Sequence, residues 1–158
     1  MTITQSVALL TWFCVTFSRG VSTAIFFHLP ATLMHELAHW IVALLTGSRP
    51  GFPSIWPHRE GKTWVLGSVK FLVYPRVAGA VALAPLWCLA PVTWFLVTSV
   101  PSPTDSMLYL GMRGVLAGYM AVGSIPSSQD WYIALKYPLS SFVVLALLVA
   151  GFRLAITA

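Results

Sequence analysis

Acidic side chains are nearly missing from this chain. Four carboxylates stand among 158 residues, and all charged residues together make up 8%. An ordinary soluble domain carries about 25% charged residues, so this composition excludes that class. Cysteine is also scarce. Cys14 and Cys88 both fall in apolar segments, which argues against a disulfide framework or a paired-cysteine metal site; they read as small packing residues. There is no low-complexity segment and no internal repeat of the kind from which secondary transporters are commonly built. No Gly-x-Ser-Gly-like nucleophile motif accompanies a histidine, which disfavours serine-based proteolysis.

What remains is apolar. Hydrophobic residues make up 58% of the chain, and the mean hydropathy is +0.82. Apolar stretches cover about residues 3–17, 21–46, 79–100, 107–123 and 138–157, most of them long enough, at roughly 17–25 residues, to span a bilayer as helices. The expected fold is an all-α integral membrane bundle, a single domain over residues 1–158 with about four to five transmembrane helices. Met1 to Gly20 has no basic n-region, so a cleaved signal peptide is not expected.

The net charge of +5 does not predict a nucleic-acid partner, because the bases do not cluster on a soluble domain. They mark topology. Arg49, Arg59, Lys62, Lys70 and Arg76 all lie in one connection, residues 47–78, opposed there only by Glu60. An excess of Lys and Arg places such a connection in the cytoplasm. The link from Pro101 to Ser106 carries Asp105 and no base, which suits the opposite side.

Ser18-Arg19-Gly20 reads as a break before a second helix that ends at Gly47, a C-terminal stop. Pro30 either kinks that helix or starts a new one. Residues 63–74 are rich in β-branched and aromatic side chains and contain Gly67; they predict a small strand or hairpin at the membrane surface or an interfacial segment anchored by Trp56, Trp64 and Lys70. Pro85 and Pro91 predict a bent third helix over about 79–100. Gly114-x-x-x-Gly118 would let another helix approach closely.

The chemistry lies in residues 35–39, His-Glu-Leu-Ala-His. On a helix, His35 and His39 fall one turn apart on one face, so two imidazoles can converge on one divalent ion. Glu36 stands beside them, placed to take a proton from water. Three ionisable groups within one turn of an apolar helix are costly unless compensated, and a bound cation compensates them.

A catalytic zinc usually takes three protein ligands, and elimination indicates the third. Glu36 belongs to the motif, Glu60 lies among bases and Asp105 lies in the outer link. Asp130 alone is near an apolar segment, in the break Ser124-Ile125-Pro126-Ser127-Ser128-Gln129-Asp130-Trp131. Topology agrees, since a fourth helix descending from the outside delivers Asp130 to the side where His39 lies. Ser127-x-x-Asp130 also fits a helix cap, which stays open as the alternative. His28 remains an alternative ligand if the helix is continuous through Pro30, and His58 reads as a loop residue.

These motifs resemble the site-2 protease family of intramembrane zinc metalloproteases. The match is Leu33-Met34-His35-Glu36-Leu37-Ala38-His39-Trp40, followed by a proline-containing break that ends in an aspartate on a later helix. The resemblance implies one zinc per chain on His35, His39 and Asp130, with Glu36 as catalytic acid and base. It also implies substrate binding along Gly67, Val69 and Phe71, in the position of the family's membrane-associated β-element. Ser124 stands near the family's asparagine, which implies a substrate-binding role as an orienting donor; the proline-to-aspartate spacing is short, and Trp131 replaces a glycine after the aspartate. No segment has room for the PDZ domain that many members carry.

The implied reaction is peptide-bond hydrolysis of a membrane-protein or peptide substrate within the lipid bilayer. Such a substrate must be unwound, which pairing it as a strand near Gly67 would achieve. Two rival classes are a membrane metal-binding or transport protein using the same ligands, and an inactive relative that binds membrane partners. A homo-oligomer is compatible with the sequence.

Overall fold

The computed structural model describes residues 1–18, 21–52, 58–61, 63–65, 74–97 and 105–157, with 21–26, 58–60, 63–65, 97, 152 and 154–157 described by their backbone alone. Helices α1 (Ile3–Phe17) and α2 (Val21–Leu45) are followed by a two-stranded hairpin, β1 (His58–Glu60) and β2 (Thr63–Val65). Then come α3 (Ala78–Ala82), a 3-10 segment (Ala84–Cys88), α4 (Leu89–Val97), α5 (Met107–Gly123), α6 (Ser128–Lys136) and α7 (Pro138–Thr157). The fold is helical, as its composition predicts.

Local chemistry accounts for the helix ends. Thr2 and Gln5 form a reciprocal capping box at the start of α1. Gly47, with φ of 74°, ends α2: Ser48 N–H donates to the Ala43 carbonyl and Gly47 N–H to the Leu44 carbonyl, the paired bonds of a left-handed glycine stop. Pro30 lies inside α2, so the helix is continuous past it and His28 and His35 share one helix.

Two expectations require correction. The third helix is not one bent rod: α3 ends at Ala82, and the chain tightens into a 3-10 segment with Pro85 in its first turn, because proline cannot donate the N–H that would continue an α-helix. The last helical stretch is likewise two elements, with Pro138 separating α6 from α7 for the same reason. Of the strand-like stretch 63–74, Thr63–Val65 forms β2, paired with β1 in antiparallel register, His58 opposite Val65 and Glu60 opposite Thr63; residues 66–73 lie outside the described residues. Gly61 at φ 60° supplies the left-handed backbone of its turn. Gly67, Val69 and Phe71 lie outside the described residues.

Packing is built on small residues. A Cβ at Gly114 would meet the Thr4 carbonyl at 2.7 Å, and one at Gly118 would meet the Ala8 carbonyl at 2.8 Å. The glycine pair therefore brings α5 against α1, where buried Thr4 donates its hydroxyl to the Leu110 carbonyl. On the other side, Ala82, Leu83, Ala134 and Val144 form an apolar core joining α3 to α6 and α7. Ser140 of α7 accepts the Gly79 N–H at 3.1 Å, satisfying an orphan donor at the start of α3.

Among the described residues no single helix is both long and apolar enough to cross a membrane. Helices α5 and α6 meet that test together, bent by 55° at the Ser124–Ser127 break.

Candidate metal centre

The α2 helix places His35 and His39 one turn apart, and the bend between α5 and α6 turns Asp130 toward them. His39 Nε2 lies 3.1 Å from His35 Nε2. Asp130 Oδ2 is 3.3 Å from His35 Nε2 and Oδ1 is 3.3 Å from His39 Nε2. His39 and Asp130 are buried and His35 nearly so. The three residues could hold a metal ion, since their ligand atoms lie within 4.8 Å of one another.

The outer ring nitrogens determine what faces inward. His35 Nδ1 is 3.0 Å from the Gly123 carbonyl oxygen, and His39 Nδ1 is 2.8 Å from that of Val81. A carbonyl can only accept, so each Nδ1 carries the proton and donates. A neutral imidazole then presents its Nε2 lone pair to the centre. With both rings neutral, two lone pairs and a carboxylate converge, which is the ligand set of a cation site. The separations also fit. With bonds of about 2.0–2.1 Å, a tetrahedral ion has ligand-to-ligand edges of roughly 3.3 Å.

Asp130 is held by its own helix start. Ser127 N–H donates to Oδ2 at 2.7 Å, and Asp130 N–H donates back to the Ser127 hydroxyl at 3.3 Å. Cap and candidate ligand are therefore one residue in two roles, and the capping bond fixes the orientation in which the carboxylate meets the histidines. The close approach of α5 to α2 depends on Gly123. A Cβ there would stand 2.7 Å from the Ala31 carbonyl and 3.5 Å from the His35 nitrogen.

Glu36 is half-buried beside His35 on α2. Ser124 is buried and donates its hydroxyl to the Ala121 carbonyl at 2.7 Å, so that hydrogen is engaged within its own helix end. His28 is not part of the cluster that could hold an ion, and His58 lies in β1. Sequence reasoning missed Val81 and Gly123, which act through backbone carbonyls and carry no side-chain mark of that role.

No family model, curated protein or solved structure matches the chain. The geometry stands alone.

Proposed function

We propose that the protein is an intramembrane zinc endopeptidase, as its resemblance to the site-2 protease family implies. The observation that carries this reading is the convergence of His35, His39 and Asp130, with both Nδ1–H groups turned outward onto carbonyls. Two imidazoles and one carboxylate on tetrahedral edges suit zinc better than magnesium or calcium, which take oxygen-rich sites. Three protein ligands leave a fourth position open, as catalytic zinc sites do.

A membrane setting is supported by the surface. Leu139, Phe142, Val143, Leu147 and Val149 of α7 are all exposed, a larger apolar face than water tolerates without a partner. Leu9, Leu10 and Phe13 extend such surface onto α1. Helix α2, with 25 residues, reaches roughly 38 Å at 1.5 Å per residue, a length that suits a tilted span, although its three histidines and Glu36 keep it short of the apolarity of one. Positive residues in 47–78 support a cytoplasmic position for that connection.

In the proposed reaction, His35, His39 and Asp130 hold the ion. Bound zinc supplies Lewis acidity toward the scissile carbonyl and lowers the pKa of water toward neutrality. Glu36 accepts the water proton and transfers it to the departing amine, the general-base and general-acid halves of one cycle. The hairpin β1–β2 lies in the connection where an extended substrate could add as a strand.

The test is cleavage of single-span peptides, labelled at both ends, by purified protein in liposomes. Wild type should release soluble fragments. A Glu36→Gln variant should keep its zinc and lose at least about 100-fold in rate, the usual scale of general acid–base catalysis. Equal flux of zinc and no cleavage by either protein would instead support a transport protein.

A further inference from the structure

We propose that Pro85 and Pro126 are positioning residues for the two histidines, acting by withholding backbone N–H groups. Each histidine is oriented by one carbonyl, and inside an α-helix a carbonyl is normally taken by the N–H four residues on. Pro85 stands four residues after Val81, so that donor does not exist. The α3 cap N–H reaches the Val81 oxygen, and its remaining acceptor capacity takes the His39 Nδ1–H at 2.8 Å.

The Gly123 carbonyl is released twice over. Pro126, three residues on, has no N–H for a 3-10 bond. Ser127, four residues on, has one, but it is committed to Asp130 Oδ2 at 2.7 Å. The oxygen is left to His35 Nδ1, 3.0 Å away. One short break, Pro126-Ser127-x-x-Asp130, therefore turns a carboxylate into the centre and frees the carbonyl that sets the tautomer of His35.

The same device operates away from the centre. Pro138 stands four residues after Ala134, and the Ala134 carbonyl accepts the buried Ser141 hydroxyl at 2.8 Å. At these three prolines a helix carbonyl thus becomes an acceptor for a side chain of another turn or another helix. In an apolar surrounding, a released carbonyl without such a donor is costly, so proline and side-chain donor stabilise one another.

The proposal rests on reading His35, His39 and Asp130 as a metal centre, and its test separates the two. Pro85→Ala and Pro126→Ala each restore an N–H that competes for the carbonyl. The α-hydroxy analogue of alanine at the same position adds an ester and no N–H, while removing the proline ring just as alanine does. Two quantities are measured: zinc affinity against a competing chelator, and imidazole tautomers by 15N NMR in metal-free protein at a pH where the rings are neutral. Each alanine variant should lose about 10- to 100-fold in zinc affinity, the scale for orienting partners of metal ligands. It should also move its histidine from the Nδ1–H toward the Nε2–H tautomer, and the ester should restore both. Unchanged tautomers in the alanine variants, or equal losses in alanine and ester proteins, would overturn the proposal. If wild type binds no zinc the metal reading fails, and the tautomers alone still decide the role of the prolines.

Discussion

The Nε2 atoms of His35 and His39 stand 3.1 Å apart, and the Nδ1 atom of each ring donates to a backbone carbonyl on a different segment. As neutral imidazoles, the two rings turn their lone pairs on one another and on the Asp130 carboxylate. Repulsion among these three groups is relieved by a cation. Free zinc at about 1,000 times its dissociation constant should stabilise the fold by roughly 4 kcal/mol through mass action. A thermal midpoint that rises on zinc addition in wild type and stays fixed in His39→Ala is the expected pair of results.

Metal content discriminates the ligands. Detergent-purified wild type should hold about one zinc per chain, and both His39→Ala and Asp130→Ala should lose it, as expected of a three-ligand site. Zinc lost only in His39→Ala would reduce Asp130 to its capping role.

Ser127 offers a milder perturbation. Its hydroxyl accepts the Asp130 N–H, but its own N–H would still hold Oδ2 after truncation. Ser127→Ala should therefore cost about 1 kcal/mol of stability, as for a lost N-cap. Zinc affinity, measured by chelator competition, should fall less than in Asp130→Ala.

Two glycines on α5 make an internal control. A Cβ at Gly123 meets the backbone of α2 at the Ala31 carbonyl, whereas a Cβ at Gly111 meets nothing within 4 Å. Gly123→Ala should destabilise by about 1–3 kcal/mol through overpacking and weaken zinc binding by displacing the carbonyl that orients His35. Gly111→Ala should be neutral or stabilising by up to about 1 kcal/mol, from helix propensity. Denaturation midpoints of the two variants check both signs.

Much of the architecture was legible because it depends on local periodicity. The limits of α1, α2 and α5, the glycine stop at Gly47 and the close packing at Gly114 and Gly118 follow from hydrophobic runs and glycine geometry. The break of the third helix was only half legible: Pro85 and Pro91 announced a bend, but a proline does not say whether a helix kinks or ends. The division between α6 and α7 was hidden because capping at Ser127 and a stop before Pro138 enclose a helix of only 9 residues.

The sequence by itself determined that two imidazoles share one face of one helix, with a carboxylate beside them, because four residues make nearly one helical turn wherever the helix lies. It also offered Asp130 as a ligand or as the cap of a helix, without choosing between them. Only the tertiary structure decided that this helix start faces His35 and His39, that Gly123 lets the segments meet, and that Val81 and Gly123 orient the rings. Those contacts join residues 42 and 88 positions apart. They depend on a 55° bend between α5 and α6 and on main-chain carbonyls, and every residue carries the same carbonyl, so the identity of the amino acids alone gives no sign of which ones are used.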